Sequence, residues 1–444
     1  MPEIQTVSVI GMGYIGLPTC AIFAKSGLEV IGVDVNEEVV AKVNAGEIHI
    51  VEPDLDGLVQ KVVANGRLRA HTVPQPADAF IIAVPTPITA AQKADISYVL
   101  DAGRSIAPVL KQGDLVILES TSPVGTTRRL TALLADLRPD LTFPLSHGEE
   151  ASVMVAYSPE RVLPGRVLTE LIENDRSIGG LSRRSSERAA SLYSVFVRGE
   201  LVVTSADSAE LVKLTENAFR DVNIAFANEL AAVCQELGLN VWEVIDLANR
   251  HPRVNILQPG PGVGGHCIAV DPYFIIEAAP GSTDLMSAAR RINAARPTTV
   301  VADIQALLEP GKVHTVACLG LSFKPNIDDM RESPAVEVVR LLAETENVKL
   351  IAAEPNARRL PRELEGKGIV FTDALSAIDQ ADIVVLLVDH RQFSLVDAEA
   401  LRDKKLVDTR GLWTWRKARK PDARVEAGVP ATGGAVIHLA ERAA

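Results

Sequence analysis

Val7-Ser-Val-Ile-Gly-Met-Gly-Tyr-Ile-Gly-Leu17 runs from a short apolar strand, Val7–Ile10, through a glycine-rich turn into a helical stretch reaching Ala24. A second strand, Val30–Val33, follows and ends at Asp34. Gly11-x-Gly13-x-x-Gly16 alone is a weak signal; between a strand and a helix, with an acid closing the next strand, it is a strong one. Gly11 permits the tight turn, Gly13 lets the backbone approach a pyrophosphate, and Gly16 allows close packing of helix on strand. The helix N-terminus offers N–H groups and partial positive charge to that anion. Asp34 suits the ribose hydroxyls and repels a 2′-phosphate, so NAD is expected rather than NADP. The turn residues Gly11, Gly13, Tyr14, Ile15 and Gly16, with Asp34, are the candidate cofactor-binding residues.

Outward from this unit, strands are expected at Ala79–Val84, Leu115–Glu119 and Val153–Tyr157, alternating with helical patterns as in a parallel doubly wound sheet. From Ser205 to Leu237 the pattern turns helical, with Leu211, Leu214, Ala218, Val222 and Ala225 at spacings of three and four. A second helix is expected over Val241 to Asn249, and the Pro- and Gly-rich run Gln258–Gly265 must be loop. From Lys312 a further α/β segment begins, with strands at Thr315–Gly320, Val348–Ala352, Ile383–Val388 and Lys405–Val407. The fold class is therefore α/β: two Rossmann-like doubly wound domains joined by a central helical region. The expected bounds are 1–204, 205–305 and 306–444. The stretch beyond Trp413, basic and then rich in small residues, is expected to be partly disordered.

A length of 444 residues exceeds one hydrophobic core. The formal charge of −12 speaks against nucleic acid or an anionic membrane as partner. The first residues carry no basic leader and no apolar run is long enough to span a bilayer, so neither a signal peptide nor membrane insertion is expected. Cys20, Cys234, Cys267 and Cys318 form no CxxC pair, which leaves no metal site or disulfide to expect and suggests a reduced, cytoplasmic chain. Cys20 and Cys234 fall on apolar helical stretches and Cys318 in a strand, as small core residues do. Cys267 sits instead in Gly262-Val-Gly-Gly-His-Cys-Ile-Ala-Val-Asp271, a tight loop with His266 and Asp271 nearby. A thiol nucleophile beside a nicotinamide can trap an aldehyde as a thiohemiacetal and allow a second oxidation at the same carbon.

Other runs follow strands at their carboxyl ends, where open α/β sheets bind ligands. Val84-Pro-Thr-Pro87 and Glu119-Ser-Thr-Ser-Pro-Val-Gly125 bring Thr86, Ser120 and Thr121 toward a cofactor or a reacting hydroxyl, although Pro, Ser and Thr favour loops on their own account. Ser158-Pro-Glu-Arg161 offers Glu160, either a base for water or a surface carboxylate. Lys213, Asn217 and Arg220 share a helix face at i, i+4 and i+7, and an ammonium and an amide so placed can both donate to one oxyanion. A lone helical lysine is more often solvated. Asn249-Arg-His-Pro-Arg-Val-Asn255 is a donor-rich loop suited to a pyrophosphate or sugar, and Phe323–Pro334 contributes Lys324 and Arg331 as cationic donors for a second nucleotide.

Together these motifs resemble the UDP-glucose/GDP-mannose dehydrogenase family, and the resemblance runs to about Trp413. Gly46–Asp54, Leu214–Glu229 and above all Asn249–Pro272 narrow it to a branch that acts on an N-acetylated amino sugar. The resemblance implies an N-terminal NAD domain, a central region through which two copies form a homodimer, and a C-terminal domain for the UDP part of a UDP-sugar. It implies four-electron oxidation with Cys267 as nucleophile, Lys213 and Asn217 stabilising the oxyanion and positioning water, and Asp271, Glu160 and Thr121 as further catalytic residues. Thr86 and Thr121 fall to the cofactor. Arg161, Lys213, Asn217, Arg220, His251, Arg253, Gly264, Lys324 and Arg331 fall to the substrate.

Two departures count against UDP-glucose itself. Val270 stands before Asp271 where the UDP-glucose branch has a lysine, and Pro164 stands where it has a second glutamate. Two other readings of the residues stay open here: a two-electron dehydrogenase in which Cys267 is structural, and a nucleotide-sugar-sensing protein that keeps the fold.

Overall fold

The computed structural model describes residues 3–89, 91–163, 165–265 and 267–417. The chain divides into two compact units, Met1–Glu216 with Tyr273–Ser282, and Asn217–Pro272 with Thr283–Ala444.

In the first unit, β1 (Thr6–Ile10), β2 (Glu29–Val33), β3 (Leu68–His71), β4 (Ala79–Ile82), β5 (Leu115–Leu118), β6 (Met154–Tyr157), β7 (Arg176–Gly180) and β8 (Leu201–Ser205) make one sheet in the order β3-β2-β1-β4-β5-β6-β7-β8. Neighbours are parallel except β6 and β7. Successive side chains point to opposite faces. Val7, Val9, Ile81 and Ile117 pack with Leu17 and Phe23 on one side. Ile10, Phe80, Ile82, Val116 and Leu118 pack with Leu130 and Leu134 on the other. Both faces are covered, so the central strands read as unbroken apolar runs.

The five strands expected in this half are present, with ends displaced by a residue or two. Three others were not expected: two lack that apolar signature, while β8 carries only the short run Leu201-Val202-Val203. β3 alternates buried and exposed residues at an edge, β7 starts on Arg176 and ends on two glycines, and β8 is an edge strand with Val202 and Val203 exposed.

The second unit contains β9 (His314–Leu319), β10 (Val348–Ala353), β11 (Val370–Phe371), β12 (Ile383–Leu386) and β13 (Lys405–Asp408), all parallel in the order β11-β10-β9-β12-β13. Only the two-residue β11 was not expected. In each sheet the strand order reverses beside the first strand, between β1 and β4 and between β9 and β12. The crevice at such a switch point is where doubly wound sheets take ligands.

The central helix, Ala206–Glu236, has 31 residues, about 46 Å at 1.5 Å per residue. Leu214, Ala218 and Ala225 are buried as the periodicity predicts, but Leu211 is exposed and lies outside the buried stripe. Helix Asp284–Gln305 is tied to it by polar groups. Arg290 Nη1 donates to Asp221 Oδ1 at 2.6 Å, Asn293 Nδ2 donates to the same oxygen at 2.8 Å, and Asn228 Nδ2 donates to Asn293 Oδ1 at 2.9 Å. All four side chains are buried. Burial pushes the Asp221 carboxyl up while Arg290 and Asn293 pull it back. Trp413 is buried and donates through Nε1 to the Phe393 carbonyl at 2.9 Å. From residue 418 the expectation of disorder lies outside the described residues. Among the described residues no helix is long and apolar enough to cross a membrane.

Removing one partner of a buried ion pair leaves the other uncompensated. Arg290→Met is therefore expected to lower unfolding stability by about 3–5 kcal/mol, read by denaturant titration. A loss under about 1 kcal/mol, the range of an exposed pair, would show that Asp221 is not held as described.

Candidate active site

The glycine turn of the first unit separates the three glycine roles. A Cβ on Gly11, at φ +94°, would lie 2.5 Å from the Ala83 carbonyl oxygen, and one on Gly16 would lie 1.7 Å from the Gly11 oxygen. A Cβ on Gly13 would meet nothing within 4 Å. The first and third glycines are required by the protein's own packing. The second leaves open space at the entry of helix Gly16–Lys25, a cradle of the kind a pyrophosphate needs. Asp34 Oδ2 accepts from Met12 N at 3.0 Å and Oδ1 from Asn36 N at 3.0 Å, which fixes the carboxylate at the end of β2. Tyr14 is exposed beside the turn and Ile15 half-buried. These residues fit NAD.

Thr86 and Thr121 come together, since Thr86 Oγ1 donates to the Thr121 carbonyl at 2.5 Å. Ser120 is buried and structural. Its Oγ accepts from Val84 N at 2.9 Å, joining the loops that follow β4 and β5.

Lys213 is not the solvated lysine that helical lysines usually are. It is buried, and its Nζ lies 3.6 Å from Glu160 Oε1. Glu160 Oε2 accepts from Val162 N at 2.8 Å, so the carboxylate is fixed by its own loop. That loop is anchored in turn by Glu52, from the run Gly46–Asp54, which accepts from Gly165 N at 2.8 Å and Val167 N at 2.7 Å. Arg161 is engaged within the protein, with Nη1 donating to Glu216 Oε1 at 2.6 Å. Beneath Glu160 lies a buried pair that sequence reasoning missed: Arg176 Nη1 donates to Glu119 Oε1 at 2.8 Å and stands 4.1 Å over the Tyr193 ring. Burial pushes the Glu119 carboxyl up, Arg176 pulls it down, and the charge of Glu160 pushes it up again.

In the second unit, Asn217 Nδ2 donates to Asp271 Oδ2 at 2.6 Å, and both side chains are buried. Asp271 opens helix Asp271–Ala278, and its N–H reaches the Cys267 carbonyl at 2.9 Å, one turn away. Cys267 is exposed, whereas Cys20, Cys234 and Cys318 are buried. Burial raises those three thiols, Cys318 to about 12, and keeps them protonated and unreactive. His266 lies outside the described residues.

The cysteine loop packs on the Phe323–Pro334 segment with no room for side chains. A Cβ on Gly264 would lie 2.5 Å from the Glu332 oxygen and 2.5 Å from Pro334 Cδ, and one on Gly265, at φ +83°, would lie 2.9 Å from the Phe323 ring. Gly264 therefore serves through packing. Lys324 is half-buried on that segment, its carbonyl held by Ser322 Oγ at 2.7 Å. Arg331 is largely exposed and pairs with Asp329 at 2.7 Å. Arg220, His251 and Arg253 are exposed. His251 and Arg253 ride on a loop that Asn249 closes by reciprocal bonds to Ile256, at 2.7 and 3.0 Å.

Glu354 and His390 are the second omission of sequence reasoning. Glu354 Oε2 accepts from Leu321 N at 2.7 Å, Ser322 N at 3.1 Å and His390 Nε2 at 3.0 Å, and His390 Nδ1 accepts from Asn326 N at 2.9 Å. The donor set fixes the tautomer, with the proton on Nε2. Burial works to raise the Glu354 carboxyl, but His390 and the backbone donors hold it below its ordinary value. Glu354 follows β10 as Asp34 follows β2, a positional signal that could have found it.

Residues 5–197 match the NAD binding domain of the UDP-glucose/GDP-mannose dehydrogenase family, 207–295 its central domain and 317–414 its UDP binding domain. The chain is 55% identical to the NDP-N-acetyl-D-galactosaminuronic acid dehydrogenase of Ralstonia nicotianae, over 94% of this chain and 98% of that protein. It is 54% identical to the UDP-N-acetyl-D-mannosamine dehydrogenase of Yersinia pestis, over 92% and 99%. The solved UDP-D-ManNAc dehydrogenase of Pyrococcus horikoshii superposes with a TM-score of 0.82 at 37% identity, covering 92% of this chain and 96% of that one. With all three family domains matched in order along a chain whose glycine turn fits the dinucleotide, the protein belongs to the UDP-glucose/GDP-mannose dehydrogenase family of NAD-dependent dehydrogenases.

Proposed function

We propose that this enzyme oxidises C6 of UDP-N-acetyl-D-mannosamine through the aldehyde to the carboxylate, giving UDP-N-acetyl-D-mannosaminuronate, a precursor for a surface polysaccharide. The observation that carries the reading is an exposed cysteine one turn from a buried Asp271–Asn217 pair, in a chain whose other three thiols are buried. NAD supplies the hydride acceptor in each of two rounds. One alcohol, one water and two NAD are converted to one carboxylate, two NADH and three protons.

Lys213 and Asn217, one turn apart on the central helix, donate to the oxygen on C6 as charge develops there. One amide hydrogen of Asn217 is committed to Asp271, which aims the other. Cys267 adds as thiolate to the aldehyde, giving a thiohemiacetal that the second oxidation turns into a thioester. Water then attacks the thioester, its proton taken by Glu160 or Asp271, and the Cys267 thiolate leaves. Thr121 stands on the cofactor side, fixed by Thr86. Lys324, Arg331, Arg220, His251, Arg253 and Arg161 are assigned to the nucleotide and sugar, and the three-part division at 204 and 305 assigns the UDP to the last part. A reduced cytoplasmic setting goes with a reactive exposed thiol.

The sugar follows the Yersinia and Pyrococcus relatives. A second reading has one specific support, the Ralstonia relative whose name carries N-acetyl-D-galactosaminuronic acid. Both are N-acetylated amino sugars, as is UDP-GlcNAc, and a pocket discriminates poorly between such close shapes.

The central helix also supports a homodimer. Val212, Phe219, Phe226 and Val233 recur every seven residues and are 37%, 65%, 53% and 44% exposed, a seam of the kind helices bury against each other.

NADH is to be counted per mole of UDP-ManNAc, with UDP-GlcNAc, UDP-GalNAc and UDP-glucose in parallel. Two NADH are expected with an N-acetylated sugar, and one would make Cys267 structural. Cys267→Ser is expected to slow uronate formation by at least about 10³-fold; full uronate production would sink the covalent route. Phe219→Glu with Phe226→Glu is expected to halve the mass seen by light scattering, and an unchanged mass would place the interface elsewhere.

A further inference from the structure

The loop after β5 carries Thr121 and leads into helix Thr126–Leu137. At the carboxyl end of a strand, the first N–H groups of the following helix are suited to an anionic group. At the first helix of the chain Gly13 leaves that space open. At this one a side chain of the protein fills it. Glu210 is fully buried. Its Oε2 accepts from Gly125 N at 2.6 Å, and its Oε1 accepts from Thr127 N at 2.8 Å and Thr127 Oγ1 at 2.7 Å. Glu210 stands one turn before Lys213 on the central helix. One carboxylate thus joins the loop bearing Thr121 to the helix bearing Lys213 and Asn217.

Resting on the oxidation mechanism above, we propose that Glu210 is a positioning residue. In its ionised form it holds the Thr121 loop and the oxyanion-binding helix in the register that the reaction at C6 requires. Both oxygens face N–H donors, so protonation sets an O–H against an N–H and breaks one of the links. Burial pushes the Glu210 carboxyl up to about 7, against the pull of Thr127 and Gly125 and with a further push from Asp207. Asp207 is itself paired with Arg128 at 2.8 Å, whose opposite charge also faces this carboxyl. The strut is charged above neutral pH and loosens below it.

The experiment measures the pH dependence of kcat for the full-length enzyme, Glu210→Gln and Thr127→Val, together with NADH formed per sugar. Wild type is expected to lose activity on the acid side around pH 7. Glu210→Gln is expected to lose between about 10- and 100-fold in kcat, the cost of misplacement by about 1 Å, with KM for NAD changed far less and that acid limb absent. Thr127→Val removes one stabilising donor and is isosteric, so it is expected to fold and to move the limb upward by about one pH unit, a tenfold change in proton affinity. It keeps the test decisive if Glu210→Gln fails to fold. An unmoved limb in Thr127→Val assigns it to another group, such as Cys267, and overturns the proposal. Wild-type kcat in Glu210→Gln overturns it as well. Neither result touches the four-electron reading, which fails only if wild type yields one NADH per sugar.

Discussion

A lysine can be buried only beside a charge that pays for its lost hydration, and the pairing of Lys213 with Glu160 organises much of the first unit. The second oxygen of Glu160 accepts from Val162 N, which fixes the carboxylate. Its loop must then be fixed, which Glu52 does from a separate segment. Glu119 and Arg176 pair with each other nearby, and both feel the charge of Glu160, which pairs with Lys213. An unpaired buried ion costs several kcal/mol, whereas a paired and hydrogen-bonded one roughly breaks even. The network therefore contributes placement of an ammonium rather than stability.

The strongest sequence signals were those in which local geometry and function make the same demand. The three glycines of the first turn were legible because each is forced by a different steric fact, and the structure separates them in just that way. Strands covered on both faces were legible as apolar runs. β3 and β7 were not, because an alternating edge and a charged buried residue erase the run, and the short apolar run of the edge strand β8 was missed. The burial of Lys213 could not be read from the helix, since helical spacing names the face and not what lies against it. Glu119, Arg176 and Tyr193 come from three separate elements, and only the sheet order brings them together.

The four cysteines show how packing sets the exposure of a thiol. Three are buried, Cys20 and Cys318 within apolar clusters, and desolvation disfavours their thiolates. The fourth is presented by a loop whose glycines lie so close to Phe323, Glu332 and Pro334 that no side chain fits. The glycines of the loop are thus held close by their backbone, and Cys267 is exposed. The proposed covalent route uses that exposure, which gives an aldehyde access to the thiol.

The two sheets have the same strand order around their first strands yet treat the first turn differently. After β1 the acid of the second strand holds the turn by one N–H, and Gly13 leaves the approach clear. After β9 the corresponding acid, Glu354, takes two N–H groups and a histidine, and Leu321 fills the turn as a buried side chain. That network ties the turn after β9 to the end of β10 through two backbone N–H groups, where the first turn gives a single N–H to its acid. A rigid turn there serves another end. It sets the start of the segment that carries Lys324 and receives the cysteine loop. The same architecture thus provides an open cradle at one end of the chain and a fixed platform at the other, and the difference rests on what each acid is given to hold.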